Sequence, residues 1–208
     1  AIHALPEPDA GSMTRGFARF HGIDPDTVIA GSGTTWFIYT IPKALDAKKE
    51  VILGPTYADY ADACAMHGIA PGLCMARADN GFLPDLEAVS DMAARADLVF
   101  ICNPNNPTGV LVKKEFITTL ARRHPDVYFV VDESYLPFVE GASDISLVQD
   151  RSYDNLLVLS SMSKIFTIPG LRTGFLSGAK HLVDTVMHYY QPWSVNALAQ
   201  VVITDIFD

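Results

Sequence analysis

The sequence predicts an α/β domain with a mostly parallel, seven-stranded sheet sandwiched by helices. Short aliphatic and β-branched runs alternate with longer helical patterns along the 208 residues, as expected for consecutive βαβ units. Several of these runs, such as 98–102, are almost continuously apolar, which is typical of strands covered by helices on both faces. Because 49% of the residues are hydrophobic and 19% are charged, the chain can bury one large core. We therefore predict one domain over residues 1–208.

The elements follow from where each apolar run meets turn-forming residues. The predicted strands are 27–30, 51–53, 72–75, 98–102, 127–132, 156–160 and 173–177. The predicted helices are 12–21, 34–45, 58–67, 85–94, 113–124 and 179–191. Pro84, just before one helix, and Gly68, just after another, stand where helix ends favour them. The chain begins without methionine, and the apolar stretch 197–207 ends without a cap, which favours a piece of a longer protein.

The composition argues against several function classes. A net charge of −9 disfavours nucleic-acid binding, because phosphate backbones are held mostly by excess lysine and arginine. Apolar runs fall short of the ~20 residues that a membrane helix needs, and the chain does not open with a signal segment. The three cysteines lack CxxC spacing and the six histidines lack ligand spacing, so we predict neither disulfides nor a metal site. We expect a cytoplasmic protein.

Polar clusters follow five of the predicted strands. Because ligands of open α/β sheets bind outside the carboxyl ends of the strands, we expect these clusters to converge at one edge. The clusters are residues 31–35, 54–57, 103–109, 132–135 and 160–164.

Two of these clusters carry reactive groups. Lys164 follows a buried strand between serines and Ile165, an unusual place for a solvated charge, and a neutral amine can form a Schiff base with a carbonyl. Asp132 ends another buried strand, where a carboxylate needs a cationic or hydrogen-bonding partner such as a pyridinium nitrogen. Tyr135 adds a phenol nearby. An exposed loop lysine, and an aspartate that caps a helix or forms a salt bridge, remain the alternatives.

Two further clusters are suited to hold a ligand. The segment GSGTT at 31–35 precedes a helix and would present backbone N–H groups to an anion, with Arg172 as a possible second contact. Arg172 could equally be an ordinary surface residue. The segment NPNNPTG at 103–109 combines two prolines with three asparagines, which predicts a rigid loop with amide groups facing outward.

Other motifs match only in part. The SxxK pattern at 161–164 lacks the SDN and KTG partners of β-lactamase-like enzymes. The carboxylates after 127–131 resemble a Walker B strand, but no GxxxxGK[ST] loop precedes them. In the GSG segment, Trp36 stands where a dinucleotide-binding loop would have its third glycine.

Four motifs in this order resemble the class I/II aminotransferase family, the fold-type-I enzymes that use pyridoxal 5'-phosphate. They are NPNNPTG at 103–109, DESY at 132–135, SMSK at 161–164 and GLRTG at 170–174. Within the family, the sequence is most similar to histidinol-phosphate aminotransferases and threonine-phosphate decarboxylases, and segments 168–172 and 192–196 favour the decarboxylases. The resemblance implies the large cofactor-binding domain of that fold, with the N-terminal arm and the C-terminal small domain missing.

The resemblance also implies roles for individual residues. Lys164 would hold the cofactor covalently and then carry the proton, Asp132 would keep the ring nitrogen protonated, and Tyr135 would contact the ring oxygen; these are the predicted catalytic residues. Asn106 would share the contact to the ring oxygen, and Tyr57 would stack on the ring. The phosphate would be held by Thr34, Thr35, Ser161, Ser163 and Arg172. Asn196 lies near the substrate in this comparison and receives no role.

For the function, the resemblance implies transamination of a small amino acid or amine, phosphorylated or not, with a keto-acid acceptor. Decarboxylation of a phosphorylated amino acid is the alternative, and a non-catalytic fragment that binds the cofactor is a second one. Because family members complete their sites across a dimer, the resemblance also implies a homodimer. The arginine that binds the substrate carboxylate would lie beyond Asp208.

Overall fold

The computed structural model describes residues 3–208 and shows a seven-stranded sheet in the order β1-β7-β6-β5-β4-β2-β3. Strands β2 to β6 are mutually parallel, whereas β7 is antiparallel to both of its neighbours, β6 and β1. The strands are β1 (Val28–Gly31), β2 (Glu50–Gly54), β3 (Gly72–Met75), β4 (Leu98–Cys102), β5 (Tyr128–Asp132), β6 (Leu156–Ser161) and β7 (Gly174–Gly178). The predicted α/β fold with a mostly parallel sheet is confirmed, and each predicted strand end lies within one residue of the observed one.

Helices flank this sheet and include all six predicted ones. They are α1 (Gly11–His21), α2 (Gly33–Ala44), α3 (Asp59–Met66), α4 (Leu86–Ala93), α5 (Lys114–Arg123), α6 (Ala142–Ile145), α7 (Met162–Ile165), α8 (Lys180–Met187) and α9 (Ala197–Phe207). Helix α8 ends four residues earlier than predicted, in line with Pro192 disfavouring helical backbone at Gln191. Helix α9 was not predicted, because apolar Leu198 and Val201 stand on its exposed side and blur the helical pattern.

The core consists of two apolar layers, one on each face of the sheet. One layer is formed by α1, α4, α5 and α9, and its Phe17 stacks on Phe175 of β7 with ring centroids 4.2 Å apart. The other layer is formed by α2, α3 and α8 and contains Phe37 and Tyr60. In β5, Phe129 and Val131 point into the first layer and Val130 into the second, as the alternation along a strand requires. The sheet is therefore buried on both faces.

The strand directions bring several chain segments to one edge of the sheet. Ser161 at the end of β6 and Gly31 at the end of β1 both pair with Gly174 at the start of β7. Because β7 runs the opposite way, the loop before it, which carries Arg172, lies at the same edge as the loops that follow the other strands. Over residues 3–208, none of the helices is both long and apolar enough to cross a bilayer.

Candidate active site

A single cavity at this edge collects residues from all five polar clusters. All the residues predicted to hold the cofactor line it, except Ser163. The lining residues are Gly33, Thr34, Thr35, Tyr57, Tyr60, Cys102, Asn106, Asp132, Ser134, Tyr135, Ser161, Lys164 and Arg172. In the described part of the chain, no cluster of His, Cys, Asp or Glu is arranged to hold a metal ion.

Lys164 lies in the one-turn helix α7 and is half-buried at the cavity wall. Its Nζ lies 5.8 Å from the centre of the Tyr135 ring. Among residues 3–208, it makes no salt bridge, although seven other lysine and arginine side chains do. The amine therefore faces the cavity with an aromatic neighbour and without a carboxylate that would hold its charge in place.

Asp132 ends β5 with a side chain that is only 5% exposed. Its Oδ1 accepts a hydrogen bond from the Ser134 N–H at 2.9 Å, and its Oδ2 accepts one from the Tyr60 hydroxyl, also at 2.9 Å. Buried carboxylates need such donors. Both oxygens are therefore fixed, and the carboxylate has one orientation at the cavity floor.

Tyr60 is a site residue that the sequence reasoning missed. It lies in the first turn of α3, is 1% exposed and stacks on Phe100 with ring centroids 5.1 Å apart. Burial, and then the neighbouring charge of Asp132, raise the pKa of Tyr60 well above its usual value, so its hydroxyl stays a donor to that carboxylate. In the sequence, Tyr60 fits the apolar face of a helix and therefore looks like a core residue. The one signal for a site role was its position three residues after Tyr57, which can place both side chains on the same side.

Tyr57 forms a side wall of the cavity. Its ring meets Tyr60 edge-on, with centroids 5.8 Å apart and planes at 86°, and it is 37% exposed, so one face is free for a ligand. Its hydroxyl donates to Oδ2 of Asp59 at 2.7 Å. Burial first, and then this contact with Asp59, raise the pKa of Tyr57 to about 12. The tyrosine therefore remains neutral and is held from two sides.

The start of α2 and the loop before β7 form a cradle for an anion. The first backbone N–H groups of a helix lack partners within the helix, and those of Thr34 and Thr35 occupy that position. Arg172 Nη2 donates to Thr35 Oγ1 at 3.3 Å. The φ of Gly33 is 78°, a left-handed conformation that favours glycine, and the missing side chain lets that nitrogen lie beside its backbone.

The two serines of the 161–163 segment occupy different positions. Ser161 lines the cavity, whereas Ser163 is buried behind it. The Ser163 hydroxyl accepts from the Thr173 N–H at 3.2 Å and donates to the Thr173 carbonyl at 3.3 Å. Ser163 thus holds the loop that carries Arg172 and does not face the cavity.

The asparagines of the 103–109 loop also differ in position. Asn103 bonds to Val112 through both its side-chain oxygen and its nitrogen. Asn105 accepts from the Thr56 hydroxyl at 2.6 Å and donates to the Pro55 carbonyl at 2.8 Å, and thereby joins this loop to the one that carries Tyr57. Asn106 lines the cavity. Two of the amides therefore shape the loop, and the third faces the ligand space.

The cavity combines an amine, a fixed carboxylate, an exposed aromatic face and a guanidinium beside a helix start. This set suits an aromatic ring compound with a carbonyl for Lys164, a basic ring nitrogen for Asp132 and a phosphate for Arg172. Cys102 also lines the wall, and burial first, then the charge of Asp132, raise the pKa of its thiol to about 11. The thiol is therefore neutral at physiological pH.

Comparisons with known proteins agree with this arrangement. The sequence profile of the family "Aminotransferase class I and II" matches residues 2–208. Threonine-phosphate decarboxylase of Salmonella typhimurium is 30% identical over 95% of this chain and 55% of its own length. Histidinol-phosphate aminotransferase of Thermococcus gammatolerans is 34% identical over 89% of this chain and 53% of its own. The chain thus spans about half the length of these relatives.

A solved structure shows the same fold. The L-threonine-O-3-phosphate decarboxylase of Porphyromonas gingivalis superposes with a TM-score of 0.82 at 31% identity, over 99% of this chain and 61% of that one. Both families of the predicted resemblance are therefore among the relatives, and the prediction is confirmed. The chain belongs to the class I and II aminotransferases, and its cofactor is pyridoxal 5'-phosphate.

Proposed function

We propose that this chain forms the cofactor-binding part of an enzyme that breaks a bond at the α-carbon of a small amino acid, with Lys164 as the attachment residue. The convergence of Lys164, the fixed Asp132 carboxylate and the Arg172 cradle on one cavity carries this proposal. The residues fit the cofactor, since both oxygens of Asp132 are already oriented and Gly33 leaves Arg172 room beside the start of α2.

The chemistry divides between the cofactor and the protein. When bound, pyridoxal phosphate supplies an electron-accepting ring and a carbonyl that reacts with amines. Asp132, oriented by Tyr60 and Ser134, would keep a proton on the ring nitrogen. Lys164, once displaced by the substrate amine, would move a proton at the α-carbon as a general acid and base.

The other lining residues would bind and orient the cofactor. Asn106 and Tyr135 would hydrogen-bond the ring oxygen, and Tyr57 would cover one ring face. The phosphate would lie at the start of α2, where Thr34, Thr35, Ser161 and Arg172 face it. Ser163 would act indirectly through its two hydrogen bonds to Thr173.

For the reaction itself, we propose transamination of a small amino acid or amine, phosphorylated or not, with a keto acid as acceptor, as in the histidinol-phosphate aminotransferases. Decarboxylation is the second candidate, favoured by the 31% identity to the decarboxylase structure. The cofactor-side residues serve both reactions. Carbon dioxide release without a keto acid would favour decarboxylation, and strict dependence on 2-oxoglutarate would favour transamination. If the chain binds cofactor without either reaction, it is a cofactor-binding fragment.

The experiment that tests the proposal compares the wild-type chain with Lys164→Ala. After incubation with pyridoxal phosphate and reduction with borohydride, we expect the wild type to carry one reduced adduct on the peptide that contains Lys164, measured by mass spectrometry. The variant should lose that adduct while its thermal unfolding stays within a few degrees. Equal adduct on other lysines in both proteins would contradict the proposal.

We further propose a homodimer in the cytoplasm, with residues 1–208 as the large domain of a longer protein. These remain predictions from the resemblance to the family. Light scattering of the purified chain at several concentrations would test the dimer.

A further inference from the structure

We propose that Asn196 is a positioning residue that holds Arg172 in the conformation needed to bind the cofactor phosphate. This inference rests on the proposed function, because it takes the anion beside Arg172 to be that phosphate. Asn196 lies outside the cavity and is exposed, so it would act through the backbone of the loop before β7.

The side-chain amide of Asn196 makes two hydrogen bonds, one as acceptor and one as donor. Its Oδ1 accepts from the Ala199 N–H at 2.9 Å, which caps the start of α9. Its Nδ2 donates to the Leu171 carbonyl at 2.8 Å. Helix capping needs only the oxygen, and serine or aspartate would serve equally well. The nitrogen therefore makes a second contact that the cap does not explain.

The Leu171 carbonyl belongs to the peptide plane that joins Leu171 to Arg172. Rotation of this plane changes the φ angle of Arg172, which is 53°. Residues other than glycine rarely adopt this left-handed conformation, and it persists only where the surroundings fix it. On the far side of Arg172, the Ser163 hydroxyl holds the Thr173 N–H at 3.2 Å. The unusual backbone of Arg172 is thus held from both sides.

This backbone conformation determines where the guanidinium lies. From the left-handed position, Nη2 reaches Thr35 Oγ1 at 3.3 Å and stands beside Gly33, at the start of α2. Arg172 is exposed, so packing alone does not restrain its side chain. If the Leu171 carbonyl is released, the loop can relax to ordinary backbone angles and move the guanidinium away from the cradle. The phosphate would then lose a preorganised contact.

The test separates the contact to Leu171 from the helix cap. Asn196→Ser keeps a cap oxygen but lacks the amide donor, whereas Asn196→Ala lacks both. Asp85→Ala is the matched control. It removes a helix cap of the same kind, in which Asp85 Oδ1 accepts from the Ala88 N–H of α4 at 2.8 Å, and Asp85 does not line the cavity. For each protein, the dissociation constants of pyridoxal phosphate and of pyridoxal, which lacks the phosphate, are measured by fluorescence titration.

We expect both Asn196 variants to bind pyridoxal phosphate about threefold to tenfold more weakly, the effect of one lost hydrogen bond. Their affinity for pyridoxal should stay within about twofold of the wild type, and Asp85→Ala should change neither constant. An unchanged affinity of Asn196→Ser for pyridoxal phosphate would overturn the proposal. Equal weakening for pyridoxal would also overturn it, since the effect would not depend on the phosphate.

A measurement without cofactor distinguishes this proposal from the proposed function. In the cofactor-free chain, amide hydrogen exchange over residues 170–174 should be about threefold faster in Asn196→Ser, with α9 unchanged. Faster exchange with no capture of cofactor at Lys164 would contradict the proposed function and leave the role of Asn196 in the loop intact. Unchanged exchange in a chain that captures cofactor would contradict only the role of Asn196.

Discussion

The hydroxyl of Tyr60 contacts the Asp132 carboxylate at the cavity, although the residue itself is almost fully buried. It donates to the Asp132 carboxylate from a position where burial raises its own pKa, so it keeps the proton that it donates at physiological pH. A carboxylate fixed through both oxygens loses little freedom when it meets a ring nitrogen. Tyr60 thereby lines the cavity and also orients Asp132 within it.

We predict that Tyr60→Phe keeps the ring packing but lowers the rate of α-proton exchange about tenfold, because a hydrogen bond to a charged group is lost. Deuterium exchange at the α-carbon of an added amino acid, followed by NMR in the cofactor-loaded chain, measures this rate. Tyr128→Phe is the control, since it removes a hydroxyl from the opposite end of the same strand, β5. Equal rates in wild type and Tyr60→Phe would show that Ser134 alone fixes the carboxylate.

Among the connections between elements, Glu133 joins the end of β5 to the segment after α6. It is almost fully buried on the side of the sheet away from the cavity, where its oxygens accept from the Ser146 hydroxyl at 2.6 Å and the Leu147 N–H at 2.8 Å. Burial outweighs these two bonds and the charge of Lys114, and raises the pKa of Glu133 to about 7. The folded chain therefore binds this proton more tightly than the unfolded chain.

This shift gives a prediction for stability against pH. The raised pKa stabilises the folded chain fully below pH 4.5, the pKa of this carboxyl in the unfolded chain. This stabilisation is lost as the pH rises to about 7. Glu133→Gln keeps a neutral partner for Ser146 and Leu147 and removes the titration. Its free energy of unfolding, relative to wild type, should thus increase by up to about 3 kcal/mol between pH 4.5 and pH 7.5. Urea unfolding of both proteins at pH 4.5 and pH 7.5 measures the difference in stability. A difference that does not change with pH would refute the prediction.

In the whole molecule, the antiparallel strand β7 decides which loops meet. Its first residue, Gly174, lies between the ends of β1 and β6 and against the start of α2, where an added Cβ would stand 2.7 Å from the Thr34 nitrogen. The sheet, the start of α2 and the loop of Arg172 therefore share one closely packed junction. Such a junction leaves no room for a side chain.

We predict that Gly174→Ala lowers the free energy of unfolding by about 1–3 kcal/mol, through displacement of α2 from the sheet. Gly170→Ala is a matched control four residues earlier, because its added Cβ would meet no atom of the described chain within 4 Å. That variant should change stability by less than about 0.5 kcal/mol. Urea unfolding of the wild type and the two variants measures these free energies. Similar losses of stability in both variants would contradict the packing argument.

The sequence was informative where local patterns matched the three-dimensional contacts. Apolar runs that alternate with helical patterns predicted the positions of all seven strands. The polar residues that follow these runs predicted the edge of the sheet where Lys164 and Asp132 lie. The direction of β7 was not predictable, because an apolar run such as 174–178 reads the same in either direction. Tyr60 and Asn196 were missed or left without a role because their functions depend on partners 72 and 25 residues away.

Tyr57 lies two residues before α3 and Tyr60 lies in its first turn, and this arrangement has a thermodynamic consequence. In the proposed site, Tyr57 would cover the ring face while Tyr60 orients the Asp132 carboxylate. Because the Tyr57 hydroxyl donates to Asp59, the first residue of α3, both contacts would depend on the start of that helix being folded. Binding in the cavity and fraying of α3 would then oppose each other, because a ligand that binds only the folded start of α3 stabilises it. Conditions that fray the start of α3 would therefore weaken binding of the cofactor even while the sheet stays folded.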